Sequence, residues 1–239
     1  MTTATNVCVF DAYGTLFDLH SATARYAEEV GPQAMALSQL WRNKQIEYSW
    51  IRSAMARMPD GWRDFWSLTE EALTHAMAVL KIESPGLREK LLGAYMTLDA
   101  YGEVPETLRR LKQMGMRTAI LSNGTQKMLH AALAATGVEG LVDAIFSADD
   151  VKRFKPNAAL YNLVPAHFGV TPQQAVFHTS NQWDAAGAAA FGFQVVLIDR
   201  HSQPKEYSFV KPLAVLQDLT AVPDALSKRL LAHQLEATG

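Results

Sequence analysis

Asp11 stands where Val7-Cys8-Val9-Phe10 gives way to Ala12-Tyr13-Gly14-Thr15. Apolar, partly β-branched residues running into an acid and a Gly-Thr turn read as a buried parallel-sheet strand that delivers the carboxylate at its carboxyl end. Ligands of open α/β sheets bind at that edge. Gly14 lets the next loop fold back and aim backbone N–H groups at the same spot, an arrangement suited to nucleophilic catalysis. On this stretch alone, an Asp capping a strand-end turn explains the residues equally well. Three further groups shift the balance: Ser122-Asn123, the Lys155-Pro156 loop and Thr179-Ser180-Asn181 also fall at strand ends. In a parallel sheet, strand ends far apart in sequence converge on one edge.

The elements that must position these groups alternate. After Asp18, residues 21–98 carry helical periodicity and almost no strand signal. Ser21 caps a short helix, Gly31-Pro32 breaks it, and a long helix follows with Leu37, Leu40/Trp41, Lys44, Tyr48, Ile51, Met55 and Met58 stepping by three and four. A turn at Met58-Pro59-Asp60-Gly61, a helix from Trp62 to Leu80 and another from Leu87 to Leu98 complete this block. From Val104 onward the pattern is βα repetition. Helices at Pro105–Met114, Lys127–Ala135, Ala158–Phe168 and Trp183–Phe191 alternate with strands at Thr118–Leu121, Ala144–Phe146, Ala175–His178 and Gln194–Ile198, and an amphipathic tail runs from Pro223 to Leu235. This predicts an α/β fold, a doubly wound parallel sheet with crossover helices. The expected division is a catalytic core of residues 1–18 and 99–239 and a helical insert of residues 19–98.

Composition narrows the function. The 239 residues are 49% hydrophobic and 19% charged with net charge -2, so no charge excess points to nucleic acid or an anionic membrane surface. The basic cluster Arg109-Arg110-Leu111-Lys112 reads as a solvated helix face. No window approaches a membrane span and residues 1–6 lack a secretory pattern, so the expectation is a cytoplasmic protein. The single cysteine, Cys8, lies within the first strand and reads as a packing residue.

In order, these groups resemble the four motifs of the haloacid dehalogenase superfamily, and the resemblance covers essentially the whole chain. Within it the sequence is similar to the L-2-haloacid dehalogenases: FDAYGTLFD around Asp11, WRNKQIEYSW in the insert, LSNG at 121–124, Lys155-Pro156 with Tyr161, and SNQWDAAGA at 180–188. The resemblance implies a Rossmann-like core with a helical cap, and a homodimer. It also implies a halide cradle of Arg42, Asn123 and Trp183, and Ser122 with the backbone N–H groups after Asp11, at Ala12 and Tyr13, as donors to a substrate carboxylate.

Residue chemistry then favours carbon over phosphorus. Phosphatases of the superfamily carry a second Asp two residues after the nucleophile to protonate a departing alkoxide; here that position is Tyr13. Halide leaves without a proton, so that acid is dispensable. The acids that bind metal in the phosphatases are represented by Asn181 and Asp184, a poor oxygen set, so neither metal nor cofactor is expected. The expected reaction is attack by Asp11 on the carbon bearing halogen, with Lys155 keeping the carboxylate ionised, followed by hydrolysis of the aspartyl ester. Asp184 is the expected base, and Thr179 and Asn181 hold its water. Arg42 and Ile46 share one helix face directed at the cleft, where a guanidinium stabilises the departing halide. Thr15 and Tyr161 orient Asp11 and Lys155, and Tyr13 gives an apolar wall.

Two positions depart from the family pattern: His178, where an apolar residue is usual, and Phe154, where Tyr is usual. Local backbone is expected to satisfy His178; were it beside the halide cradle, it would favour fluoride as leaving group. Trp50, Trp62 and Trp66 serve either a dimer contact or the closing of the helical insert. Two other functions stay open, a Mg-dependent phosphatase or phosphonate hydrolase of the same superfamily and a catalytically silent binding domain.

Overall fold

The computed structural model describes residues 6–55 and 61–228. Strands β1 (Val7–Phe10), β2 (Arg117–Ser122), β3 (Ala144–Ser147), β4 (Ala175–Thr179), β5 (Gln194–Ile198) and β6 (Ala214–Leu216) form one all-parallel sheet in the order β3-β2-β1-β4-β5-β6. The central strand β1 is entirely buried, which its run of apolar residues requires of a strand flanked on both edges. The connection from β3 to β4 carries the chain across β1, so the strand order reverses beside Asp11.

Helices α1 (Ser21–Ala24), α2 (Ala27–Val30), α3 (Ala34–Ala54), α4 (Phe65–Leu80) and α5 (Leu87–Met96) lie between β1 and β2. The chain leaves and rejoins the sheet side by side: Asp18 donates its N–H to the Asp99 carbonyl (2.8 Å) and Tyr101 to that of Leu16 (3.0 Å). Beyond them come α6 (Val104–Gln113), α7 (Gln126–Thr136), α8 (Ala158–Tyr161), α9 (Leu163–Phe168) and α10 (Gln182–Phe191). Helix α10 packs on β4 and β5, α6 on β2 and α7 on β3.

The predicted α/β architecture is present, with differences that have physical causes. Asp64 caps α4 by accepting the Ser67 N–H, so that helix starts at Phe65 rather than Trp62. The stretch expected as one helix at 158–168 is two, with Asn162 at the junction. Strand β6 escapes sequence reading because it is three residues long and partly exposed at the sheet edge. The inner stripe of α3 is Leu37, Ser38, Trp41, Gln45 and Ser49, whereas Ile51 and Met55 are exposed. Gln45 turns inward because its amide donates to Thr69 Oγ1 (2.9 Å) and accepts from the Tyr95 hydroxyl (3.2 Å). Trp62 and Trp66 are half-buried against the core, and Trp62 stacks on Phe154 at 4.6 Å. Residues 222–228 are helical; the expected turn residues Met58, Pro59 and Asp60 and the rest of the tail lie outside the described residues. Among the described residues, no helix is long and apolar enough to cross a membrane.

Candidate active site

Asp11 emerges from β1 with its N–H on the His178 carbonyl (2.9 Å), so the neighbouring strand fixes its backbone. Its Oδ1 accepts from Lys155 Nζ at 2.9 Å. Oδ2 accepts from Thr15 Oγ1 at 3.1 Å and Asn181 Nδ2 at 2.8 Å. Lys155 Nζ also reaches Asp184 Oδ2 at 2.7 Å, and that oxygen accepts the Thr179 hydroxyl at 3.4 Å. The Tyr161 hydroxyl donates to Asp184 Oδ1 at 2.6 Å. One ammonium therefore sits between two carboxylates in a site where Asp11 is 6% exposed, Lys155 1% and Asp184 0%.

Burial sets the electrostatics. Desolvation works against the Lys155 charge, but the facing Asp11 and Asp184 outweigh it and hold the amine above its ordinary value. Asp184 is pushed up to about 6, first by burial and further by the charge of Asp11, against the pull of Lys155. Burial and the neighbouring Asp184 keep the Tyr161 phenol protonated, as its donated hydrogen bond requires.

Seven predicted residues, Asp11, Thr15, Lys155, Tyr161, Thr179, Asn181 and Asp184, thus form one connected network, which Tyr161 joins through Asp184 and not, as expected, through Lys155. Arg42, Ile46, Asn181 and Trp183 line a cleft of about 620 Å³ between α3 and the loop after β4. The buried phenols of Tyr13 and Tyr95, stacked at 5.6 Å, feel both Asp11 and Arg42, which places guanidinium and carboxylate about the same aromatic pair. Asn123 Oδ1 accepts the Lys155 backbone N–H at 2.8 Å, tying the β2 loop to the loop that carries the ammonium. Ser122 lies buried at the end of β2, where its hydroxyl accepts the Gly124 N–H at 3.1 Å. Ala12 is buried, and its carbonyl accepts N–H groups of the turn, Leu16 at 2.9 Å among them.

A family model for haloacid dehalogenase-like hydrolases matches residues 5–192. The chain is 44% identical to (S)-2-haloacid dehalogenase 4A of Burkholderia cepacia, over 96% of this chain and 98% of that one. It is 43% identical to (S)-2-haloacid dehalogenase 1 of Pseudomonas sp. (strain CBS-3), over 92% and 95%. The chain belongs to the haloacid dehalogenase-like hydrolases, in their (S)-2-haloacid dehalogenase branch. Its fold is also similar to that of the L-2-haloacid dehalogenase from Xanthobacter autotrophicus with chloropropionic acid covalently bound. There the TM-score is 0.84 and the identity 33%, over 94% of this chain and 99% of that one.

In this dehalogenase-like hydrolase, Ser180 and Arg200 brace the turn at Thr15 that holds the nucleophile. Ser180 Oγ lies 3.2 Å from Thr15 Oγ1 and donates to the Gly14 carbonyl (2.7 Å), while the Ser180 N–H donates to Thr15 Oγ1 (2.9 Å). Gly14 has φ +88, and a Cβ there would stand 3.2 Å from Ser180 Oγ, so only glycine suits this turn. Arg200 lies over the Tyr101 ring at 3.6 Å, pairs with Glu103 at 2.8 Å and donates to the Thr15 carbonyl at 2.8 Å. Tyr95 packs on the neighbouring Tyr13. Ser180 belongs to the strand-end group Thr179-Ser180-Asn181, while Arg200 and Tyr95 stand in no motif and have only their packing to reveal them.

His178 is fully buried and stacks on Phe10 at 4.5 Å, with Nδ1 against the Val9 carbonyl at 3.1 Å. Burial brings it down to about 4, so it stays neutral. Strand alternation puts it on the opposite sheet face from Phe177, whose ring lies 4.9 Å from Lys155 Nζ. It therefore does not border the cleft, and the condition for a fluoride role is not met. Phe154 is buried under Trp62, where a tyrosine hydroxyl would need a partner.

Gly187 on α10 gives the first prediction. A Cβ there would fall 2.6 Å from both Pro156 Cβ and the Tyr161 hydroxyl. Gly187→Ala is expected to displace Tyr161 from Asp184, cost about 2 kcal/mol of stability and lower turnover roughly tenfold or more. Urea unfolding and haloacid turnover check it; a variant equal to the parent in both would refute the close packing.

Proposed function

We propose that the chain hydrolyses short-chain (S)-2-haloacids to (R)-2-hydroxyacids, haloacetate to glycolate among them, without a metal or cofactor. The observation that carries this reading is the Lys155 ammonium held between Asp11 and Asp184. It supplies the positive charge that faces both the nucleophile and the base. The similar structure with covalently bound chloropropionic acid supports an ester intermediate.

Asp11 attacks the carbon bearing halogen from the side opposite the leaving group, so configuration inverts. The Asp11 oxygen becomes the ester oxygen, and the C–X bond pair leaves with halide toward Arg42, Asn123 and Trp183. Ser122 and the N–H groups at Ala12 and Tyr13 receive the substrate carboxylate, and the Tyr13 ring and the Ile46 side chain exclude water near it. Asp184 then takes a proton from water that attacks the ester carbonyl carbon, Thr179 and Asn181 positioning that water. Thr15 and Asn181, already on Asp11 Oδ2, are placed to stabilise the charge that gathers in this second step. Residues 19–98 act as the cap that covers the cleft, and the enzyme works as a cytoplasmic homodimer, for which the exposed Met35 and Ile51 of α3 and Met55 just after it offer apolar surface.

The test is one turnover in oxygen-18 water with enzyme in excess. Label in the Asp11 peptide is expected, and label confined to product would overturn the ester route. Chloroacetate turnover in excess EDTA, with none on p-nitrophenyl phosphate plus Mg, separates this reading from a phosphohydrolase; the reverse pattern would replace it.

The base assignment has its own signature. Since Asp184 acts ionised and lies at about 6, turnover is expected to rise with pH through that value and to be lost below it. In Asp184→Asn the first step proceeds and the ester accumulates on Asp11, visible as a mass increase of that peptide. A variant with an unshifted acid limb would exclude Asp184 as the base.

A further inference from the structure

Trp183 is shared by two cavities. On one side is the cleft of Arg42 and Ile46. On the other is an open, mainly apolar groove of about 760 Å³ walled by Trp50, Ala54, Pro156, Phe191 and Phe209. Ile46 and Trp50 are four apart on α3 and so share a face, yet Ile46 lines the cleft and Trp50 the groove. Between the cavities the Trp50 ring meets that of Trp183 edge-on, with centroids 5.4 Å apart and planes at 82°. Such an edge-to-face pair is a favourable, well-defined contact, so it makes a firm wall.

We infer that Trp50 is a specificity-determining residue: the wall it forms with Trp183 ends the cleft on its apolar side and confines the substrate to short 2-haloacids. The inference rests on the functional reading above and adds the residue that sets chain length. The ring partner of Trp50 is Trp183, which lies outside the hydrogen-bonded Asp11 network, so truncating Trp50 leaves the nucleophile, its ammonium and the base in place. Truncating it joins cleft to groove and gives a longer alkyl chain an apolar surface to lie on. A single methylene in an apolar pocket changes kcat/KM by roughly tenfold or more.

The experiment compares chloroacetate with 2-bromohexanoate in the parent protein, Trp50→Ala and Trp50→Phe. The ratio of kcat/KM for the longer acid to that for chloroacetate is expected to rise at least about tenfold in Trp50→Ala. The gain should come through a lower KM for the longer acid, with chloroacetate turnover within about threefold of the parent and Trp50→Phe between the two. A merely structural role would depress both substrates together. An unchanged ratio in folded Trp50→Ala overturns the inference. If that variant fails to fold, an unchanged ratio in Trp50→Phe and Trp50→Leu does so. A parent inert toward chloroacetate would instead remove the functional reading, and this inference with it.

Discussion

Asp11→Ala is expected to lower haloacid turnover by at least about four orders of magnitude, because removing the attacking group leaves only binding and polarisation. The fold should persist: Lys155 keeps Asp184 at 2.7 Å, and β1 is anchored by its apolar run rather than by its terminal acid. Affinity for chloroacetate, read by titration calorimetry, is expected to survive or increase, since a negative charge facing the anionic substrate has gone. Single-turnover hydroxyacid release measures the chemical defect. A variant with more than about one hundredth of parental turnover would show that water attacks carbon directly.

Lys155→Met should damage both catalysis and folding. The ammonium is the common partner of two buried carboxylates, and removing one partner of a buried ion pair costs about 3–5 kcal/mol because the charge left behind has lost its compensation. The pH dependence carries the sign. Asp184 already lies above its unfolded value, and without Lys155 it moves further up. A carboxyl raised in the folded state destabilises the protein while the unfolded chain is ionised, and this penalty is relieved as pH falls and the folded group takes up its proton. The variant's deficit relative to the parent should therefore be largest at pH about 8 and shrink toward pH about 5. Urea unfolding at the two pH values measures it. A deficit that does not depend on pH would mean that Lys155 matters for packing alone.

What the sequence made legible is the part fixed by strand ends. Asp11, Ser122 and Thr179 end or follow apolar runs, and a parallel sheet leaves such residues no choice but to share an edge. Lys155, in the loop beyond β3, and Asp184, inside α10, end no strand and are placed by the family resemblance; the structure joins both to Asp11, Asn181 and Tyr161. The α3 stripe misled in its second half because polarity was taken for exposure. Gln45 and Ser49 face inward, their polar groups met by Thr69, Tyr95 and the Ile46 carbonyl, while apolar Ile51 and Met55 face outward. Arg200 was illegible for a different reason. Its use depends on Tyr101, Glu103 and Thr15 arriving together from two other parts of the chain, which no local pattern encodes.

The paired backbone contacts where the chain departs after Asp18 and comes back before Tyr101 have a bearing on ancestry as well as architecture. With both stems joined at one place, the helices between them can be lengthened, shortened or exchanged while every strand keeps its neighbours. A chimera carrying another relative's segment between those stems should accordingly inherit the donor's appetite for substrates and retain the host's nucleophile.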